Sequence, residues 1–313
     1  MRQTTLSHSI SCSGLGVHSG HPVQLMLNPA PADSGIVFRR TDVTAEQRKM
    51  GADRIEARYM CVTDTRLGTT LSNEHGVMVA TVEHVMAALA GLGVDNAEIV
   101  LDGPEVPIMD GSAAPFVFLI ESAGLRAQAA RKRALRILKP ISVVEDGKRA
   151  EIIPADDFTV DVEIDFPSAA VRRQRLELSL STNGAFKAEL ARARTFGFLH
   201  EVEALRQSGL ARGGSLDNAV VIDGDVVLNE EGLRFADEFV RHKALDAVGD
   251  LALAGHTLLG HFRGVRSGHA LNNRLLRALF ATQDAYELVR LGAGEQAYRP
   301  AFLRDRLPLA IGA

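Results

Sequence analysis

Phe158-Thr159-Val160-Asp161-Val162-Glu163-Ile164-Asp165-Phe166-Pro167 alternates apolar and polar side chains without a break and then stops at a proline. Successive strand residues point to opposite faces, so this pattern predicts a strand with one face in a core and one in water. Shorter versions occur elsewhere. Val23, Leu25 and Leu27 alternate before Asn28-Pro29, Ala97, Ile99 and Leu101 before Asp102-Gly103-Pro104, and Leu176, Leu178 and Leu180 make another. Alternation of this kind suits antiparallel sheets that are buried on one side. Helices are predicted over 81–91, 113–123, 187–193, 199–208, 237–254 and 271–282. They are interleaved with strands but without a regular strand–helix–strand repeat. An α+β fold, with helices layered against mainly antiparallel sheets, is expected.

A chain of 313 residues is long enough for two domains. The best boundary is the basic stretch Arg126-Ala-Gln-Ala-Ala-Arg-Lys-Arg133, read as a solvated linker or helix end, which gives domains 1–128 and 134–313. A net charge of −4 and the absence of tryptophan give no reason to expect nucleic-acid binding. The start of the chain, Met1 to Ile10, has no apolar run, so no secretory signal is expected. Cys12 and Cys61 fall in no metal-type spacing and read as free thiols in a reducing cytoplasm.

The chemistry starts at His242-Lys243-Ala244-Leu245-Asp246-Ala247-Val248-Gly249-Asp250. In a helix, residues four apart stack on one side, so His242, Asp246 and Asp250 share a face. An imidazole and a carboxylate one turn apart suit a hydrolytic Zn²⁺, given a third ligand and an open position. The same stripe, with Glu238, reads equally as the wet face of an amphipathic helix whose core side is Val240, Ala244, Ala247, Val248 and Leu251. Asp250 also lies near the helix C-terminus, where the macrodipole disfavours a carboxylate, so it needs a cationic or donating partner.

Upstream, residues 76–94 are almost wholly apolar, and their two ionisable groups, Glu83 and His84, are adjacent. Glycines, the charged pair and the lack of a second such run argue against a membrane span. A buried helix opening near Thr81, with Thr81 as its cap, is expected instead. Burying an acid and an imidazole together is costly without compensation. Hydrogen bonds would provide it, and so would a metal with His84 as ligand and Glu83 as general base.

Several blocks then occur in a fixed order: Gly14-Leu15-Gly16-Val17-His18-Ser19-Gly20, Thr81-Val82-Glu83-His84, and Pro107-Ile108-Met109-Asp110-Gly111-Ser112-Ala113-Ala114-Pro115-Phe116. Arg194-Thr195-Phe196-Gly197-Phe198, Gly232-Leu233-Arg234-Phe235 through Asp250, and Ser267-Gly268-His269-Ala270-Leu271-Asn272-Asn273 complete the set. Together they span roughly residues 3 to 282 and resemble the UDP-3-O-acyl-N-acetylglucosamine deacetylase family of lipid A biosynthesis. No His-Glu-x-x-His helix is present, so the commoner zinc proteases are not the pattern.

The resemblance implies two similar domains with the active site between them, His84 coming from the first and His242 and Asp246 from the second. It implies one Zn²⁺ on these three ligands, although Fe²⁺ would accept them too. Glu83 would be the general base, Thr195 a second oxyanion donor and His269 the general acid, with Asp250 as the partner of His269. It places Lys243 and Arg266 near the sugar diphosphate; Arg266 departs from the lysine more usual there, and a guanidinium fork differs from an ammonium. Phe166 resembles the aromatic that packs on uracil, and reads equally as the last core residue of its strand. His18 lines the pocket or is a satisfied turn histidine. An insertion over 195–221, including Phe198, Val202, Ala211 and Gly214, would form an acyl passage or a packed β-α-β unit, which are compatible. The expected protein is a cytoplasmic, monomeric zinc amidohydrolase releasing acetate from UDP-3-O-acyl-N-acetylglucosamine. A zinc hydrolase of another N-acyl sugar and a silent nucleotide-sugar binder are the alternatives.

Overall fold

The strand expected at 158–166 spans Phe158–Asp165 in the computed structural model, which describes residues 1–181 and 184–292. The end of the second expected domain, 293–313, lies outside the described residues. Phe158–Asp165 pairs antiparallel with Arg173–Ser179 and parallel with the nine-residue strand Thr257–Val265. Thr257–Val265 also pairs with Lys148–Ile153 and Arg133–Ile137, so it is the spine of a seven-stranded sheet. Val160, Val162 and Ile164 are buried on the face that packs against the helices. In the first half, Pro22–Pro29 and Ala97–Leu101 pair antiparallel within a five-stranded sheet. Leu25, Leu27, Ile99 and Leu101 are fully buried there, as their alternation requires. The fold is α+β with mainly antiparallel pairing.

Among the described residues six α-helices accompany the sheets: α1 (Ala45–Lys49), α2 (Glu83–Gly91), α3 (Ala114–Ala123), α4 (Leu199–Gln207), α5 (Glu238–Ala252) and α6 (His269–Ala281). The short α1 carries no apolar periodicity and buries nothing, which is why patterning does not find it. The segment expected as a helix over 187–193 is one π turn, Phe186–Leu190. No helix among the described residues is long and apolar enough to cross a membrane. The only helix in the apolar run 76–94 is the nine-residue α2, buried on almost every side, and it follows the short strand Met78–Val79.

Two expectations are corrected. The basic stretch 126–133 is not a loose linker: Leu125–Arg131 is a strand paired antiparallel with Arg2–Leu6, and Arg133 opens the next strand. Arg126, Arg131 and Arg133 are exposed, as their charge suggested, but Lys132 is buried against Asp95 at 3.0 Å, so the stretch is a paired strand with one internal lysine. Thr81 does not cap α2. It adopts φ 58°, unusual for a β-branched residue, and directs its hydroxyl to Glu105. The cap position is Val82, with no side-chain hydrogen bond.

The two halves meet where α2 packs on α5. Their backbones approach so closely that a Cβ on Gly249 would overlap the Glu83 carbonyl. Gly249 lies between Asp246 and Asp250 in sequence, so the contact that joins the helices also fixes the distance between their ionisable groups. Gly249→Ala is expected to lower stability by about 1–3 kcal/mol, as overpacking does. Chemical denaturation measures this, and a variant as stable as the parent would show that the helices can separate freely.

Candidate metal centre

Five ionisable side chains, Glu83, His84, His242, Asp246 and Asp250, come together at this crossing, none more than 5% exposed. Water therefore cannot screen them, and each must be satisfied by its neighbours. Their burial overturns the wet-face reading of the 238–250 stripe; Glu238, too, is buried against Arg194 at 2.9 Å. The apolar positions of α5 are buried as well, so this helix is enclosed on both faces.

His84 Nε2 lies 3.7 Å and His242 Nε2 3.4 Å from the same oxygen, Asp246 Oδ1. The ligand atoms of these three residues all fall within 4.8 Å of one another. Asp246 Oδ1 is buried and has no hydrogen-bond partner, whereas Oδ2 accepts from Lys243 Nζ at 2.8 Å. His242 Nδ1 lies 3.1 Å from the Ala193 carbonyl, which can only accept, so this nitrogen carries the proton and Nε2 offers a lone pair. Burial pushes the His242 imidazole down to about 3, against the pull of Asp246, and pushes His84 down too. Burial also opposes ionisation of Asp246, but His242, Lys243, His269 and His84 hold its carboxyl well below the usual range.

Two neutral imidazoles and an ionised carboxylate are a metal-ligand set. Zinc ligands about 2.0–2.2 Å from the ion at tetrahedral angles stand about 3.3–3.6 Å apart. The two separations to Asp246 Oδ1 are close to this, and the lone acceptor is the atom a cation would satisfy. These residues fit a divalent metal.

Around the three are Glu83 and His269. Glu83 opens α2, and its Oε2 accepts from the Thr69 amide at 2.9 Å. Burial drives its carboxyl up to about 7, His269 opposing and Asp246 and Asp250 adding to the rise. His269 opens α6, with Nδ1 2.9 Å from Asp250 Oδ2 and Nε2 3.9 Å from Asp246 Oδ2. Burial alone would lower it, but Asp250, Asp246 and Glu83 carry it up to about 9. Asp250 has the partners its helix position demands: His269, Asn272 Nδ2 at 2.9 Å and the Thr69 hydroxyl at 2.5 Å.

A chain of this type belongs with known relatives. A sequence model of the LpxC family, UDP-3-O-acyl N-acetylglycosamine deacetylase, matches residues 3–281. The chain belongs to this deacetylase family. It is 54% identical over 291 residues to the UDP-3-O-acyl-N-acetylglucosamine deacetylase of Acidithiobacillus ferrooxidans, covering 92% of this chain and 93% of that one. It is 50% identical over 302 residues to the protein of the same name from Idiomarina loihiensis, covering 96% of each. The Neisseria meningitidis deacetylase is also 50% identical, over 290 residues.

The other residues expected for this deacetylase fold are placed less uniformly. Thr195 is held by its own amide on the Gly111 carbonyl and its carbonyl on the Val220 amide, both 2.8 Å. Its neighbour Arg194, buried between Glu238 and Glu231, ties this segment to the start of α5. Phe166 packs half-buried against Phe196 and Phe198, with ring centroids 5.7 and 5.8 Å away. His18 Nε2 is 3.3 Å from the Leu67 carbonyl, and its Nδ1 is buried with no hydrogen-bond partner among the described residues. Arg266 is exposed, and its guanidinium donates to the Gly147 carbonyl at 2.8 Å. The insertion is a β-α-β unit in which Phe196–Phe198 pairs parallel with Val220–Asp223 through α4. Val202 packs over Gly197, and Ala211 and Gly214 belong to the loop that meets Val17 and His18.

Sequence reasoning missed Thr69, Asn272 and the Ala193 carbonyl. Asn272 was within a quoted block, but Thr69 and Ala193 act partly through backbone atoms, which no residue type advertises. Thr69 touches both Glu83 and Asp250, so it spaces these two buried carboxylates. Thr69→Val, which deletes only the hydroxyl, is expected to cost about 1–3 kcal/mol of stability by leaving a buried carboxylate short of a donor. Thr69→Ser is expected to recover most of it. Equal unfolding midpoints for the valine variant and the parent would count against this role.

Proposed function

We propose that this protein is a cytoplasmic, zinc-dependent amidohydrolase that cleaves the N-acetyl amide of UDP-3-O-acyl-N-acetylglucosamine and releases acetate, a step of lipid A biosynthesis. The observation that carries this reading is the unpartnered, buried Asp246 Oδ1 facing two neutral imidazoles, with Glu83 alongside. The names of the relatives support the substrate. The proposed division into domains 1–128 and 134–313 puts Glu83 and His84 in the first and His242, Asp246 and His269 in the second.

His84, His242 and Asp246 would hold the zinc ion. When bound, such an ion supplies Lewis acidity and can bring the pKa of water to about 7. Glu83, up to about 7 through burial, takes a proton from the attacking water. The Thr195 hydroxyl donates to the oxygen on which negative charge develops. His269, carried to about 9, is an imidazolium at neutral pH and gives its proton to the departing nitrogen. Asp250 fixes the His269 tautomer, because a carboxylate on Nδ1 leaves Nε2 to face the substrate.

The substrate roles rest on the family resemblance. Lys243 sits with its ammonium on Asp246 and 5.7 Å from the Phe196 ring, near enough to balance an anionic sugar diphosphate. Arg266 would have to leave Gly147 to reach the same group. Phe166 would stack on uracil, His18 would line the sugar pocket, and Phe198, Val202, Ala211 and Gly214 would wall the acyl passage. Each methylene buried there is worth about 0.8 kcal/mol.

Two tests follow. Glu83→Ala is expected to keep its metal while losing turnover by about 10²–10⁴-fold, the usual share of a general base. His84→Ala is expected to lose the metal. Metal quantification paired with an acetate-release assay checks both, and equal metal loss in the two variants contradicts the roles. The pH profile of kcat/KM is expected to be bell-shaped. Activity rises as Glu83 loses its proton, below or near pH 7 because a bound cation favours the carboxylate, and falls as His269 loses its proton near pH 9. Asp250→Asn removes the charge that raises His269, so the alkaline limb moves to lower pH. An unmoved limb would take His269 out of the reaction.

A further inference from the structure

A cavity of about 370 Å³ lies between the halves, along the C-terminal parts of α2 and α5 and apart from the ionisable cluster. Its walls are apolar where Met86, Leu89, Val248, Leu251, Phe158 and Leu258 meet. None of the metal-ligand or proton-transfer residues lines it. The volume is within the range of small-ligand sites.

The charged groups on its rim are unevenly matched. Lys132 is paired with Asp95 at 3.0 Å and Arg133 with Asp33 at 3.0 Å. Arg58 has no side-chain hydrogen bond or ion pair among the described residues. Its guanidinium lies against Gly255, where an added Cβ would overlap it, so the glycine leaves it room at the cavity wall. His256 reports the resulting field: burial, then Arg58 and Arg133, push its imidazole down to about 4 despite Asp33. A chamber with an apolar wall on one side, Gln3, Asn96 and two closed ion pairs on the other, and Arg58 beside a neutral histidine between them is complementary to a ligand with one negative charge and an aliphatic body.

We propose that this interdomain cavity binds a small organic monoanion of the medium-chain carboxylate type, with the carboxylate on Arg58 and the chain among Met86, Leu89, Leu251 and Leu258. The cavity is bounded by α2 and α5, the same two helices that carry the ionisable cluster, so its occupant bears on that helix pair. The site does not depend on the deacetylase reading.

Octanoate is the probe, titrated into the full-length, metal-loaded protein by calorimetry, with 1-octanol as the uncharged control. Octanoate is expected to bind about tenfold or more tightly than 1-octanol, since a hydrogen bond to a charged group is worth that much. Arg58→Gln is expected to erase that preference while leaving acetate release unchanged, and Arg58→Lys to keep part of it. Chelating the metal is expected to leave octanoate binding intact, which separates this cavity from an acyl passage at the catalytic site. Equal affinity of the parent and Arg58→Gln for octanoate would overturn the proposal. So would a lack of octanoate binding to the intact chain, or its loss on chelation.

Discussion

One carboxylate oxygen sets the terms for the rest of the molecule. Asp246 Oδ1 is buried, ionised and without a donor, between imidazoles that are themselves neutral. In a low-dielectric interior such an atom is tolerated only if something positive is meant to sit against it. The surroundings are built to keep the three groups in place. Gly249 lets α5 lie on the backbone of α2, Ala193 orients His242, and the buried Arg194–Glu238 pair fastens the 193–196 segment to the head of α5. Asp110 and Arg234, 2.8 Å apart, clamp the loops of the two halves together at the same end.

Burial alone would drive His84, His242, His269 and Glu83 toward their neutral forms. The divergence comes from neighbours. His269 stands between Asp250 and Asp246 and is carried toward the charged form, while the Coulomb pull of Asp246 on His242 is not enough to offset its burial. Glu83 receives one backbone donor and faces two carboxylates, so it remains easily protonated. Environments that push like groups apart in this way are how one pocket contains both a proton acceptor and a proton donor near neutral pH. Thr69 is the common strut, with its amide on Glu83 and its hydroxyl on Asp250.

Much of this was legible in the chain. Period-two alternation located the strands at 22–29, 97–101 and 158–165, because those strands each bury one face. Four-residue spacing placed His242, Asp246 and Asp250 on one side of α5, and the demand of Asp250 for a donor near the helix C-terminus was met by His269. The adjacent Glu83 and His84, alone in an apolar run, were visible as an unusual burial. Where patterning failed, the reason was tertiary. Thr81 looked like a cap by residue type, but contact with Glu105 holds it in the left-handed region. The basic run at 126–133 looked solvated, but strand pairing and Asp95 internalise its lysine.

The amino-acid sequence by itself determined which segments are strands and helices, which faces are apolar, and which few side chains have acid, base or ligand chemistry. These are properties of residue type and local period, carried by a few neighbours along the chain. Only the tertiary structure decided that His84 and His242 converge on one oxygen of Asp246, that Thr69 bridges Glu83 and Asp250, and that Arg58 lines a cavity with no side-chain partner among the described residues. Those facts depend on distances between residues far apart in the chain, which the packing of α2 on α5 sets and no local pattern encodes. Protonation follows the same division: the ionisable groups are written in the sequence, while their affinities for protons are fixed by what burial removes and what neighbours replace.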